Sequence, residues 1–120
     1  MTREELEKNR LSDEGGDHRA VTRVLRYIED NYRDGSLEEA AEQLHYDYFW
    51  LSREIKRRTG KTYIELLQEK RLSQAAFLLT DAKMKVADAA FSVGYSNMSY
   101  FNRIFEEHFG MTPRKYRVNK

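Results

Sequence analysis

The sequence contains no cysteine, one proline and six glycines among 120 residues. Without cysteine, the chain forms neither disulfide bonds nor thiolate metal sites, a composition typical of proteins in a reducing compartment. No apolar run approaches the roughly 20 residues that a membrane-spanning helix requires, and residues 1–10 lack the apolar centre of a secretion signal. These absences favour a cytoplasmic protein without a membrane segment.

A strong excess of charge of one sign is also absent, because the formal net charge is +1. Residues 1–17 hold three basic and six acidic side chains, which leaves 18 basic and 14 acidic residues in the remainder. The remainder is therefore mildly basic, less so than many compact proteins that bind DNA. We interpret residues 1–17, which end in the polar stretch DEGGD, as a solvated arm or linker.

Apolar residues recur at helical spacing along the rest of the chain, and no segment alternates with period two for long enough to form a strand. In residues 20–32 the apolar stripe is Val21, Val24, Leu25, Ile28 and Tyr32. The sequence therefore predicts an all-α fold of about seven helices. Its predicted end signals are capping boxes at Ser36/Glu39 and Thr62/Glu65, N-caps at Asp47, Ser96 and Thr112, and stop glycines at Gly60 and Gly110.

The longest predicted helix, residues 62–79, changes its apolar side partway along. Its first apolar group is Tyr63, Ile64, Leu66 and Leu67, and its second is Leu72, Ala75, Ala76 and Leu79. The two groups lie roughly 150° apart on a helical wheel. We expect this helix to contribute to two separate cores.

The sequence also repeats itself at an offset of 50 residues. Residues 51–55 (LSREI) correspond to residues 101–105 (FNRIF), and Gly60 and Thr62 correspond to Gly110 and Thr112. Each copy contains a short helix, a tight turn and a longer helix, which is the arrangement of a helix-turn-helix. The predicted organisation is an arm at 1–17, a first helix-turn-helix subdomain at 18–61, a linking helix at 62–79 and a second helix-turn-helix subdomain at 80–120.

The second helix of a helix-turn-helix enters the major groove of DNA, and residues near its N-terminus reach base edges. Arg53 and Arg103 are outward cations shared by both copies and suit a bidentate contact to guanine or a contact to phosphate. The predicted DNA-binding residues are Phe49, Trp50, Ser52, Arg53, Lys56 and Arg57 in the first copy, and Asn97, Met98, Ser99, Tyr100, Asn102 and Arg103 in the second. A helical wheel places Phe49 and Trp50 outward, and packing of both on the first helix is the alternative.

Residues 94–101 (GYSNMSYF), followed by Arg103, Phe105, Phe109-Gly110, Thr112-Pro113 and Tyr116-Arg117, closely resemble the signature of the AraC/XylS family of bacterial transcription regulators. The first half of the chain and Arg71 in the linking helix also resemble that family. The resemblance implies two helix-turn-helix subdomains, whose recognition helices we expect in successive major grooves of a promoter or operator. It further implies RNA polymerase as a candidate partner and an upstream sensing or dimerisation domain that this chain lacks.

Two acidic residues, Glu106 and Glu107, stand where the family commonly has basic ones. The alternative hypothesis is therefore a helical protein-interaction module derived from such a domain. His18, His45 and His108 fall in different elements, so we expect no metal site. The chain has no phosphate-binding glycine loop and no nucleophile motif, so we expect neither a cofactor nor enzymatic activity.

Overall fold

The computed structural model describes residues 19–119, so the predicted arm at 1–17 and His18 lie outside the described residues. This part of the chain contains seven helices and no strand, which confirms the all-α prediction. The helices are α1 (Arg19–Asn31), α2 (Leu37–Leu44), α3 (Tyr48–Thr59), α4 (Tyr63–Thr80), α5 (Val86–Ser92), α6 (Met98–Phe109) and α7 (Pro113–Asn119). Helices α2 and α3, and likewise α5 and α6, form the two helix-turn-helix pairs.

The chain divides into two compact units, the first ending at Leu67 and the second beginning at Gln68. This boundary falls inside α4. Tyr63 and Leu67 are buried in the core of the first unit, whereas Leu72 and Leu79 are buried in the second. Ile64 is exposed, so its assignment to the first apolar group was wrong. It points about 100° away from Tyr63 around the helix axis, out of the sector that Tyr63 and Leu67 define.

In α1 the buried aromatic side chain is Tyr27, and the predicted inward residue Leu25 is exposed. The Tyr27 hydroxyl accepts a hydrogen bond from the Ser36 N–H at 3.2 Å and donates to the Glu39 carboxylate at 3.1 Å. The predicted Ser36/Glu39 capping box is therefore only half formed. The Ser36 hydroxyl accepts from the Glu39 N–H, but Tyr27 replaces the return bond of the carboxylate.

The other helix ends follow the predicted signals with one exception. Asp47 caps α3, Thr62 and Glu65 cap α4 reciprocally, and Gly60 and Gly110 end α3 and α6 at φ values of 77° and 79°. The predicted cap at Ser96 was wrong, because Asn97 caps α6 by accepting from the Tyr100 N–H at 3.0 Å. One more residue separates the turn tyrosine from the cap in the second copy (Tyr95 to Asn97) than in the first (Tyr46 to Asp47), so α6 starts one position later relative to the tyrosine.

The two helix-turn-helix turns share one backbone arrangement. In the first, the Tyr46 N–H donates to the Ala41 carbonyl at 2.9 Å, and in the second the Tyr95 N–H donates to the Ala90 carbonyl at 2.9 Å. The residue before each tyrosine has a positive φ, which is 63° at His45 and 106° at Gly94. A histidine thus occupies a left-handed position that glycine takes in the other copy.

Trp50 is buried, with 5% of its surface exposed, so its predicted outward position was wrong. Its ring stacks on Tyr46 with centroids 5.5 Å apart, inside the core of the first unit. The alternative of inward packing is therefore confirmed for Trp50, which shares a core with residues of α1, but not for Phe49, which is 68% exposed. The inward face of α3 is wider than Leu51 and Ile55 alone indicate, because it also includes Trp50 and Glu54.

The second unit has a core rich in aromatic rings. Phe101, Phe105, Phe109 and Tyr116 form a contiguous set with centroids 4.5 to 5.6 Å apart. The Arg117 guanidinium donates to the carbonyls of Lys83 and Met84 at 2.7 and 2.8 Å, which ties α7 to the loop between α4 and α5. Arg117, one of the residues that carry the resemblance to the AraC/XylS family, therefore has a structural role.

The neighbouring aromatic residues of α3 provide a matched pair of substitutions. We expect Trp50→Ala to lower the free energy of unfolding by about 3 to 5 kcal/mol, because it empties a buried site. Phe49→Ala should change it by only about 0.5 kcal/mol, because that ring is mostly exposed. Urea denaturation followed by circular dichroism measures both values, and equal losses would contradict the assigned burial.

Candidate nucleic-acid interface

Four side chains of α3 point away from the core at spacings i, i+3, i+4 and i+7, and we call this set the α3 face. It comprises Phe49, Ser52, Arg53 and Lys56. Phe49, Arg53 and Lys56 are exposed, and Ser52 is half-buried. The spacing puts all four on one stripe of the helix, so they can contact a single partner surface together.

The ends of α3 hold this face in place. Asp47 accepts a hydrogen bond from the Trp50 N–H at 2.9 Å, which fixes the first turn. At the other end the Lys56 ammonium donates to the Gly60 carbonyl at 2.9 Å, close to the negative end of the helix dipole. The Phe49 ring packs edge-on against Tyr48 at a centroid distance of 5.1 Å. An exposed aromatic ring, a guanidinium and an ammonium thus follow one another along the face.

A cluster of three charged residues borders the α3 face, and the sequence reading missed it. The Glu54 carboxylate accepts hydrogen bonds from both Arg57 and Arg58, and its side chain is only 8% exposed. The Arg58 side chain is 7% exposed, whereas the Arg57 side chain is 57% exposed. The spacings i, i+3 and i+4 of one acid and two bases were a visible signal for this cluster. Arg57, a predicted DNA-binding residue, therefore lies at the edge of the face and is bound to Glu54.

The electrostatic state of Glu54 follows from two opposing effects. Burial alone would raise the pKa of this carboxyl, but hydrogen bonds from Arg57 and Arg58 and their positive charges lower it below its ordinary value. The carboxylate is thus charged at neutral pH although it is buried.

The corresponding stripe of α6, which we call the α6 face, comprises Ser99, Asn102, Arg103 and Glu106. All four residues are exposed. They occupy the positions that correspond to Phe49, Ser52, Arg53 and Lys56 at the offset of 50 residues. Two other predicted DNA-binding residues have different positions, because Asn97 caps the helix with its side-chain oxygen and Met98 is half-buried.

Arg103 is held against an aromatic ring of its own helix. Its guanidinium carbon lies 5.4 Å from the centroid of the Tyr100 ring, within the range of a cation–π contact. The Tyr100 hydroxyl accepts a hydrogen bond from the Gln68 amide at 3.0 Å. The guanidinium carbon of Arg71 lies 5.3 Å from the centroid of the buried Tyr95 ring. Arg71 therefore has a structural contact in the second unit. Burial raises the pKa of Tyr95, and Arg71 partly offsets that rise.

The two faces differ in charge although their geometry corresponds. Lys56 of the first copy corresponds to Glu106 of the second, and Arg57 corresponds to Glu107. Both glutamates are exposed. The C-terminal half of α3 is therefore basic, and that of α6 is acidic.

Residues 19–119 also lack two features that are typical of other functional classes. In this range, no group of three or more histidine, aspartate or glutamate side chains is placed to hold a metal ion. Among the helices described, none is both long and apolar enough to span a bilayer.

Known protein families and proteins that are similar in sequence also indicate a helix-turn-helix protein. The family described as "Helix-turn-helix domain" matches residues 40–119. The chain is 31% identical over 102 residues to the probable transcription factor PqrA of Proteus vulgaris, covering 82% of this chain and 84% of that protein. It is 32% identical over 118 residues to the transcriptional activator RhaS of Escherichia fergusonii, covering 96% of this chain but 42% of RhaS. The chain thus spans less than half of RhaS.

Two solved structures are similar in both fold and sequence. One is the C-terminal domain of AraT, a response regulator from Geobacillus stearothermophilus, with a TM-score of 0.77 and 34% identity over 84% of this chain and 85% of that one. The other is a probable AraC family transcriptional regulator from Rhodopseudomonas palustris, with a TM-score of 0.77 and 28% identity over 84% of this chain and 96% of that one.

The lowered pKa of Glu54 makes a prediction about stability and pH. A carboxyl whose pKa falls on folding contributes stability above its unfolded pKa and loses it as the pH falls through the folded pKa. We expect Glu54→Gln to lower the urea midpoint at pH 7, and the difference from the unchanged chain to shrink as the pH falls below about 4. Glu42→Gln on the exposed side of α2 is the control. A difference that is constant with pH would contradict the charged state of Glu54.

Proposed function

The chain belongs to the AraC/XylS family of helix-turn-helix proteins, and from that membership we propose that it binds double-stranded DNA sequence-specifically, as the DNA-binding part of a bacterial transcription regulator. In this proposal α3 and α6 each enter a major groove. The observation that carries it is the duplicated pair of exposed stripes, each on the second helix of a helix-turn-helix and each with an arginine at its centre. The named relatives are transcription factors, which supports a binding role and not an enzymatic one.

The α3 face supplies groups suited to both kinds of DNA contact. We assign Arg53, in the middle of the helix, to a base edge, because a guanidinium can donate two hydrogen bonds to guanine. Lys56 lies one turn nearer the C-terminus, and we assign its ammonium to a backbone phosphate. The exposed ring of Phe49 suits the methyl group of thymine or a sugar. Ser52 completes the stripe as a small donor and acceptor.

The α6 face supplies a second set of groups for contact with DNA, and this set is less basic than that of the α3 face. Arg103 is proposed to contact guanine or phosphate from its place against Tyr100, and Asn102 offers the amide that pairs with adenine. Glu106 and Glu107 oppose the approach of phosphates, because their exposed carboxylates carry the same sign of charge. We therefore propose that α3 provides most of the binding free energy and that α6 adds selectivity.

The organisation of the chain and its further partners are also proposals. Residues 18–61 and 80–120 would be the two DNA-binding subdomains, residues 62–79 the linking helix and residues 1–17 a polar arm or linker. The matched relative RhaS is more than twice as long as this segment, which supports an additional sensing or dimerisation domain. RNA polymerase is a candidate partner of the promoter-bound protein, and the site of action would be the cytoplasm.

Selection of duplexes from a random pool tests the proposed function directly. The chain should enrich a defined sequence, and fluorescence anisotropy should then give tighter binding to that duplex than to a scrambled one. Affinity should fall steeply as salt is raised, because phosphate contacts release counterions. No enrichment even at low salt, together with a protein partner that binds without Arg53 and Arg103, would favour the interaction-module hypothesis instead.

Substitution of the two central arginines separates base reading from phosphate binding. If they read bases, Arg53→Ala and Arg103→Ala should each lose roughly 1 to 3 kcal/mol of discrimination between the selected and the scrambled duplex. Compared with Arg53→Ala, Arg53→Lys should regain more of the affinity for both duplexes than of the discrimination between them, because an ammonium lacks the planar pair of donors. Equal loss on both duplexes would identify the arginines as phosphate contacts.

A further inference from the structure

Glu54 is an unusual residue for its position in the fold. Its side chain points inward from α3 together with Leu51 and Ile55, and it is almost fully buried. The corresponding residue of the second copy is Ile104, which is also buried. The same position therefore accepts an aliphatic side chain, and an apolar residue at such a site is often as stabilising as a buried ion pair. Stability alone does not account for the carboxylate.

Electrostatics alone would also disfavour a carboxylate beside a surface that meets phosphates. Glu54 is nevertheless accompanied by two arginines, and they are not equivalent. Arg58 is buried with the carboxylate and neutralises its charge, whereas Arg57 keeps more than half of its side chain exposed. The cluster as a whole therefore keeps a charge of +1, and Arg57 carries that charge to the surface.

The geometry of the Glu54–Arg57 contact leaves part of the guanidinium available. Arg57 donates from Nε to one carboxylate oxygen at 3.3 Å and from one terminal nitrogen to the other oxygen. This two-point contact uses two of the five N–H donors of an arginine and fixes the plane of the group. The remaining donors lie on the edges of the guanidinium that do not face the carboxylate.

We propose that Glu54 is a positioning residue that holds Arg57 at the edge of the α3 face, where its remaining donors bind a DNA phosphate. The proposal rests on the proposed DNA-binding function. A fixed guanidinium loses less conformational freedom on binding than a mobile one, which is the general advantage of preorganisation. Arg58 neutralises the buried carboxylate. Glu54 can therefore hold Arg57 in place without cancelling its charge.

A charge-neutral double substitution isolates this effect. Glu54→Leu/Arg58→Leu removes one negative and one positive buried side chain, so the net charge beside the DNA is unchanged while Arg57 loses its anchor. We expect the affinity for the selected duplex to fall about three- to tenfold, in the lower part of the range of coupling between residues in contact. In an Arg57→Ala background the same double substitution should have no effect on affinity.

Matched controls address charge and folding. Arg33→Gln/Asp34→Asn also removes one positive and one negative charge, here from an exposed ion pair in the loop that joins α1 to α2. This control should leave the affinity for the selected duplex unchanged. Glu54→Gln serves if the double variant does not fold. It removes a negative charge, so simple electrostatics would strengthen DNA binding, whereas loss of positioning would weaken it.

The outcomes distinguish the positioning role from the proposed function. If the unchanged chain binds no duplex selectively, the DNA-binding proposal itself fails. If the unchanged chain binds, and a folded Glu54→Leu/Arg58→Leu variant binds equally well or better, only the positioning role is overturned. The positioning role alone is also overturned if the double substitution weakens binding equally with and without Arg57. Circular dichroism and the urea midpoint verify that each variant is folded at the assay temperature.

Discussion

The hydrogen bond from a buried tyrosine N–H to the carbonyl of an alanine five residues earlier determines how each recognition helix leaves its turn. Tyr46 and Ala41 make it in the first unit, and Tyr95 and Ala90 make it in the second. It satisfies backbone groups that would be costly to bury unpaired, and it sends the tyrosine ring into the core. The capping residue follows directly in the first copy and after Ser96 in the second, and in both copies the outward face begins two residues after the cap. The turn therefore fixes which side chains of α3 and α6 face outward.

Given this shared backbone, the two copies differ mainly in the chemistry of equivalent positions. The central arginine is kept, while the two positions that follow it on the surface change from basic to acidic. The inward position directly after the arginine changes from Glu54 to Ile104, so the ionic cluster of the first unit has no counterpart at the equivalent position of α6. A duplicated fold has thus produced two faces with the same geometry and opposite charge in their C-terminal halves.

Much of the fold could be predicted from the sequence because its signals are local. The bounds of α2, the cap at Asp47 and the reciprocal Thr62/Glu65 box depend only on residues within one helical turn. The errors arose where side-chain packing or the length of a turn decided the outcome. Trp50 is buried in the core of the first unit, where its ring stacks on Tyr46, and Glu39 bonds Tyr27, which comes from another helix. Asn97 replaced Ser96 as the cap because the extra residue of the second turn lies before it.

In the candidate interface, the sequence predicted the exposure of the two central arginines but not the contacts that hold the side chains in place. Arg53 and Arg103 lie on the exposed stripes, but periodicity could not reveal that Arg57 is anchored by a buried acid or that Arg103 rests on Tyr100. A count of charged residues in the sequence also fails to reveal which charges are paired inside the protein. Lys56, Arg57 and Arg58 are consecutive in sequence, yet Arg58 is buried with Glu54 and adds nothing to the surface. The charge that meets a phosphate depends on which cations remain exposed after such pairing, so a net charge of +1 is compatible with a locally basic recognition helix.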